Sequence, residues 1–168
     1  SALFTEGNEK VTTIKGSKLN LKITDNEDLK VFKNLKKGKT YSGIGFDIHK
    51  LIKGKNLYLG GIKIRHPLGL EGHSDADPVL HAIIDSLLGA CGLGDIGKLF
   101  SNKNKKYKNI RSTILLSKII KKINKNYLIN NVDINIITQV PKIRKYKSKI
   151  IKSIAKLCDM PVSRINIK

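Results

Sequence analysis

No apolar run in this chain approaches the roughly 20 residues that a membrane-spanning helix needs, and residues 1–39 hold no secretory-type apolar core. A soluble protein is the expectation. Cysteine is nearly missing: Cys91 and Cys158 stand far apart, in small-residue or helical contexts, and are expected as buried free thiols in a reducing compartment. Aromatic residues make up only 5%, so Ile and Leu must fill the core of what, at 168 residues, is one ordinary domain. Acidic residues are also short, 13 against 33 Lys and Arg, which leaves a formal charge of +20. Such a balance points to nucleic acid, an anionic membrane surface or a phosphorylated substrate. Nucleic acid is disfavoured: the lysines are spread through Asn- and Ile-dense stretches at 102–109 and 118–131, as AT-rich coding alone would produce. Only Tyr107, Tyr127 and Tyr146 interleave aromatic with basic residues, and no nucleic-acid motif is present.

Residues 1–40 are polar, Lys-rich and punctuated by Gly, and read as a flexible extension, either a leader remnant or sequence added in cloning. Five acidic residues, among them Glu6, Glu9 and Asp28, make a poor transit peptide of them. From Tyr41 the pattern becomes regular. A strand is expected over Tyr41 to Leu51, then a hairpin over Asn56 to Ile64 turning at Gly60-Gly61. Asp77 makes a good N-cap and Pro78 a good first residue for a helix to about Cys91, ended by a Gly-rich turn. His66, before Pro67, reads as an exposed loop residue. A second helix capped by Ser112 carries Leu116, Ile119, Ile120 and Ile123, and Asn131 to Val140 alternates as a strand. A third helix, Tyr146 to Cys158, buries Ile150, Ile151, Ile154 and Leu157. The fold class expected is α+β, a mixed β-sheet with helices on one face and the other face in need of a partner.

Three of the four histidines fall in two short blocks with the carboxylates a metal site needs. Strand period sends Ile44, Phe46 and Ile48 to one face and Gly45, Asp47 and His49 to the other, so Asp47 and His49 point the same way. His81 sits beside the apolar stripe of the first helix, with Asp85 one turn on. Asp47, His49 and His81 make the two-histidine, one-carboxylate set with an open fourth position that catalytic zinc uses. Asp85 is placed to accept the other N–H of His81 and fix its tautomer. By spacing alone, a plain polar strand face and a local His–Asp pair on a helix remain open.

The order of Gly-Ile-Gly-Phe-Asp-Ile-His, Leu-Gly-Gly-Ile-Lys-Ile, Gly-His-Ser-Asp-Ala-Asp-Pro-Val-Leu-His-Ala-Ile-Ile-Asp-Ser-Leu-Leu-Gly-Ala and Gly-Leu-Gly-Asp-Ile-Gly-Lys-Leu-Phe resembles the 2-C-methyl-D-erythritol 2,4-cyclodiphosphate synthase family. Asn-Val-Asp-Ile-Asn-Ile-Ile-Thr-Gln-Val-Pro-Lys and the terminal Ile-Asn-Ile-Lys extend the resemblance from Tyr41 to Lys168. It implies a lyase of non-mevalonate isoprenoid biosynthesis. The reaction implied cyclises 4-diphosphocytidyl-2-C-methyl-D-erythritol 2-phosphate and releases CMP. Also implied are a homotrimer with active sites at subunit boundaries, zinc on Asp47, His49 and His81, and a second divalent ion, Mg2+ or Mn2+, between the phosphates.

Matched one at a time, His73 and Ser74 would contact the phosphates, His73 as the catalytic residue, although it could merely cap the helix. Asp95 and Gly97 would hold the erythritol hydroxyls, with Ile96 and Phe100 in the same substrate-binding set, as are Asp47, Ile48 and His49. Read blandly, Asp95 closes a Gly-rich turn. Thr138, Gln139, Val140, Pro141, Lys142, Ile143 and Arg144 would receive cytosine, with Lys142 able to reach a phosphate or equally to be one more surface lysine. Two departures stand out. Ser101-Asn102-Lys103-Asn104 replaces the usual Pro-Asp-Thr-Asp, and Lys168 falls just before a Thr-Thr-x-Glu segment that holds the second metal's Glu. Residues 41–168 therefore read as a synthase domain lacking its C-terminal segment, with turnover in question. The alternatives are a catalytically dead member binding an isoprenoid diphosphate in an axial channel, and a basic nucleic-acid-binding module. The pathway places the protein in a plastid-type organelle, with bacterial cytoplasm as the alternative.

Overall fold

The computed structural model describes residues 24–26, 28, 38–101 and 103–168. The chain divides into two compact units, Ser1–Thr40 and Tyr41–Lys168, the second of which holds the helices and strands that position the site. Apart from 24–26, 28 and 38–40, the stretch expected to be a flexible extension lies outside the described residues.

Three helices build the core. Helix α1, Pro78–Ala90, starts as its sequence dictates: the Asp77 carboxylate accepts the Leu80 N–H and Pro78 takes a first-turn position where no N–H is needed. It buries Val79, Leu80, Ile83, Ile84 and Leu88. After the short helix α2, Ile96–Leu99, helix α3 spans Ser112–Ile123 and buries Leu115, Leu116, Ile119, Ile120 and Ile123. Helix α4, Lys147–Cys158, buries Ile150, Ile154, Ala155 and Cys158 and leaves Lys149, Lys152 and Lys156 in solvent. Helix α3 packs against both α1 and α4. Among the described residues no helix is long and apolar enough to cross a membrane. Both cysteines are free, Cys158 buried and Cys91 half-buried.

The strands pair two by two. Strands β2, Leu57–Leu59, and β3, Ile62–Ile64, form the expected hairpin, with Gly60 and Gly61 at φ +60° and +84°, the positive pair that a two-residue turn of this hand requires. Strand β1, Leu51–Lys53, pairs antiparallel with β4, Leu68–Leu70. Strand β5, Val132–Ile134, pairs parallel with β6, Ile165–Ile167, and the Ile136 N–H continues the ladder to the Lys168 carbonyl at 2.9 Å.

Several expectations need correction, among them the strand expected over Asn131 to Val140, which is regular only over Val132–Ile134, and the burial expected of Cys91, which is only partial. In place of one mixed sheet the described residues hold three separate two-stranded ladders. The strand expected over Tyr41 to Leu51 is regular only from Leu51: the Lys50 carbonyl still accepts the Glu71 N–H at 2.9 Å, residues 41–49 join no ladder, and Gly43 and Gly45 lie against α1 instead. Gly43 and Gly45 permit that approach, since a Cβ at either would collide with the Ser86 or Ala82 carbonyl of α1. Ser112 is not the cap of α3 but its first residue: Arg111 occupies the cap, and the Ser112 N–H is taken by Asp75 Oδ1 at 3.0 Å. His66 is half-buried, its Nδ1 receiving the Leu68 N–H at 3.2 Å across the Pro67 turn.

Candidate metal centre

The alternation expected for residues 44–49 holds even without a ladder. Ile44, Phe46 and Ile48 are 91%, 77% and 78% exposed, while Gly45, Asp47 and His49 turn inward. Asp47 and His49 thereby meet His81, which the first turn of α1 presents from the other side. His49 Nε2 lies 2.8 Å and His81 Nδ1 2.9 Å from the same oxygen, Asp47 Oδ2. The three residues can each offer one ligand atom within 4.8 Å of the others.

The outward ring nitrogens decide what the inward ones can do. His49 Nδ1 is 2.6 Å from the Glu71 carbonyl, which can only accept, so the proton belongs on Nδ1 and Nε2 faces inward. His81 Nε2 faces the hydroxyls of Ser112 at 2.8 Å and Ser74 at 3.2 Å. With both outward nitrogens donating, two inward lone pairs converge on a carboxylate oxygen, an arrangement that repels unless protons or a cation lie between. Burial pushes the Asp47 carboxyl up, but where protons fill those two inward positions the hydrogen bonds from His49 and His81 outweigh it and hold Asp47 well below the usual range. The same bond to Asp47 raises His49 against the opposing effect of burial. Two nitrogens, one carboxylate and an open side fit a divalent cation.

The cluster borders a cavity of about 280 Å³ that His73, Ser74, Ile96, Gly97 and Phe100 also line. His73 Nε2 is buried without a hydrogen-bond partner among the described residues, a polar atom whose desolvation of about 1–3 kcal/mol a ligand oxygen would offset. Other expected residues lie elsewhere. Asp85 does not hold His81: its carboxylate accepts the Ile96 N–H at 2.7 Å, because that donor at the start of α2 would otherwise lack a partner. Asp95 caps α2 through the Lys98 N–H at 2.8 Å and does not line the cavity. The Ile48 side chain faces solvent, and none of Thr138 to Arg144 lines the cavity. Thr138 Oγ1 instead bonds the Val140 carbonyl at 2.6 Å, with Gln139, Lys142 and Arg144 exposed.

Ser112, Asp75, the Glu71 carbonyl and the cavity walls Tyr107, Ile110 and Leu115 were not legible as site residues. Asp75 offered a signal, lying in the same Ser-Asp-Ala-Asp run as Ser74. Ser112 offered none beyond its value as a helix cap.

The YgbB family model matches residues 40–168. A bifunctional enzyme IspD/IspF of Pelagibacter ubique is 60% identical over 167 residues, 99% of this chain and 44% of that protein. The chain thus spans less than half the length of that relative. A 2-C-methyl-D-erythritol 2,4-cyclodiphosphate synthase of Clostridium acetobutylicum is 52% identical over 127 residues, covering 75% of this chain and 82% of the relative. Among solved structures, IspF of Plasmodium falciparum in complex with CDP superposes with a TM-score of 0.65 at 42% identity, over 76% of this chain and 79% of that one. On the family match and these identities, the chain belongs to the YgbB family, that of the 2-C-methyl-D-erythritol 2,4-cyclodiphosphate synthases its motifs resemble.

Proposed function

We propose that the protein cyclises 4-diphosphocytidyl-2-C-methyl-D-erythritol 2-phosphate to the 2,4-cyclodiphosphate with release of CMP. The observation that carries this is the Asp47–His49–His81 cluster at the edge of a cavity that also takes in His73 and Ser74. An oxygen of the 2-phosphate forms a bond to the β-phosphorus. The bond from that phosphorus to the oxygen bridging to the α-phosphate breaks, and CMP leaves with the electron pair. No water is consumed, so the protein's tasks are to fold the substrate back on itself and to accommodate charge.

Asp47, His49 and His81 would hold zinc, which when bound supplies a Lewis acid for a phosphate oxygen. His73 Nε2, with no protein partner among the described residues, is available to donate to a phosphate, with Ser74 beside it. Phe100 and Tyr107, edge to face at 5.3 Å, wall the cavity and limit water. At about 280 Å³ it lies just below the ~300–1,000 Å³ usual for ligand pockets, room for the phosphate and sugar end with cytidine outside. Residues 138–144 would meet cytidine from a neighbouring copy in a homotrimer, which also accounts for the uncovered Ile44, Phe46 and Ile48. A second divalent ion, Mg2+ or Mn2+, would supply further neutralisation of phosphate charge.

The two curated relatives are bacterial and lend a plastid setting no support. A bacterial cytoplasm is proposed, where AT-rich coding would leave the same excess of Lys, Asn and Ile. The Pelagibacter alignment takes in nearly all of residues 1–40, which we therefore read as native sequence rather than leader or tag. The test is phosphorus NMR of the substrate incubated with the zinc-loaded chain. Conversion to a cyclic diphosphate with equimolar CMP, lost in His81→Ala, is expected; hydrolysis to open-chain phosphates, or no binding of zinc or CDP, would overturn the assignment.

A further inference from the structure

We propose that Ser112, oriented by Asp75, is a positioning residue that holds His81 with its Nδ1 lone pair turned toward the metal. This rests on the metal site proposed above and adds how one of its ligands is set. The Asp75 side chain, only 4% exposed, accepts on both carboxylate oxygens. Its Oδ2 takes Arg111 Nε at 2.8 Å, and its Oδ1 takes both the N–H and the hydroxyl of Ser112. A carboxylate paired with a guanidinium has no proton to give, so the Ser112 hydrogen points to Asp75 and only lone pairs remain for His81 Nε2, 2.8 Å away. That end of the ring must therefore be the N–H. Ser74 Oγ, which already takes the Ala76 N–H at 3.1 Å, stands 3.2 Å from the same nitrogen and accepts more weakly. With its proton on Nε2, His81 presents a bare Nδ1 to the side where Asp47 and His49 converge.

The device is anchored well away from the metal. Arg111 Nη2 donates to the Gly61 carbonyl at 3.0 Å, and its guanidinium lies 3.9 Å from the Tyr58 ring centroid. Hairpin, α3 start and α1 are thus tied together at the hydrogen bond that orients the ligand. Asp85, the partner expected from helical spacing, is occupied at Ile96.

The test measures zinc affinity by competition with a chromophoric chelator, and the His81 Hε2 resonance of the zinc-loaded protein by NMR. Ser112→Ala and Asp75→Asn should each weaken zinc about ten- to hundredfold. Ser112→Ala should also move the Hε2 proton upfield or lose it to exchange, which a merely structural role would not do, while Asp85→Asn leaves zinc affinity unchanged. Should Ser112→Ala fail to fold, Ser112→Cys keeps the volume and offers only a weak acceptor, and the same loss is expected. Wild type binding zinc with Ser112 and Asp75 variants equally tight would overturn this proposal and leave the metal site standing. Wild type binding no stoichiometric zinc would overturn the metal site itself, and the proposal with it.

Discussion

At the scale of single residues, Asp77 shows how much one side chain can hold. Its carboxylate, with no exposed surface, accepts the N–H groups of Gly60 at 2.9 Å, Gly61 at 2.6 Å and Leu80 at 3.2 Å. Only the last was legible, as an N-cap; the other two come from a hairpin 16 and 17 residues earlier, a contact no local pattern announces. Asp77→Ala strands three N–H groups at once and is expected to cost roughly 3 kcal/mol or more in urea unfolding. Asp77→Asn should lose less, because the amide oxygen still accepts. Cys158 makes a separate case, for pH. Burial pushes its thiol from 9.0 up to about 11, so the folded state resists ionisation that the unfolded chain undergoes freely. Its contribution is intact below pH about 9 and lost as pH rises toward about 11, about 2–3 kcal/mol in all. Lysines titrate in the same window, so the check is a difference: from pH 8 to 11 the urea midpoint of Cys158→Ala should fall less steeply than that of wild type. Parallel slopes would contradict the burial account.

At the scale of elements, the readily legible parts were those whose signals are local. The first helix has Asp-Pro at its start and an apolar stripe; the hairpin has Gly-Gly between two apolar runs. The segment of residues 41–50 was legible in its alternation and not in its pairing, since pairing depends on a partner strand that sequence period cannot name. Asp47 and His49 were found because alternation fixes which way they face. Asp85 was misassigned because helical spacing says who is near His81, not which donor competes for the carboxylate. What sets the segment's position is Gly45, where an added Cβ would strike the Ala82 carbonyl one residue from His81. Gly45→Ala is expected to lift Asp47 and His49 off α1, lowering stability by about 1–3 kcal/mol and weakening zinc at the same time. Calorimetry with and without zinc checks both; a loss of stability with unchanged zinc affinity would mean the ligands are positioned from elsewhere.

At the scale of the whole molecule, the apolar row of Ile44, Phe46 and Ile48 is, among the described residues, a surface poorly compatible with an isolated chain. Covering three such side chains removes on the order of 400 Å² of apolar area per copy, about 10 kcal/mol before the costs of association. The segment also offers backbone groups outside any ladder, which a neighbouring copy could pair. A homotrimer built on this face predicts that Ile44→Asp with Phe46→Asp sediments as a monomer where wild type sediments as three chains. Because Asp47, His49 and His81 come from one chain, the dissociated variant should still bind zinc. It should lose CDP binding, because residues 138–144 do not border the cavity of their own chain. Loss of assembly with CDP affinity intact would place the whole substrate site within one chain, and retention of the trimer would move the interface off this face.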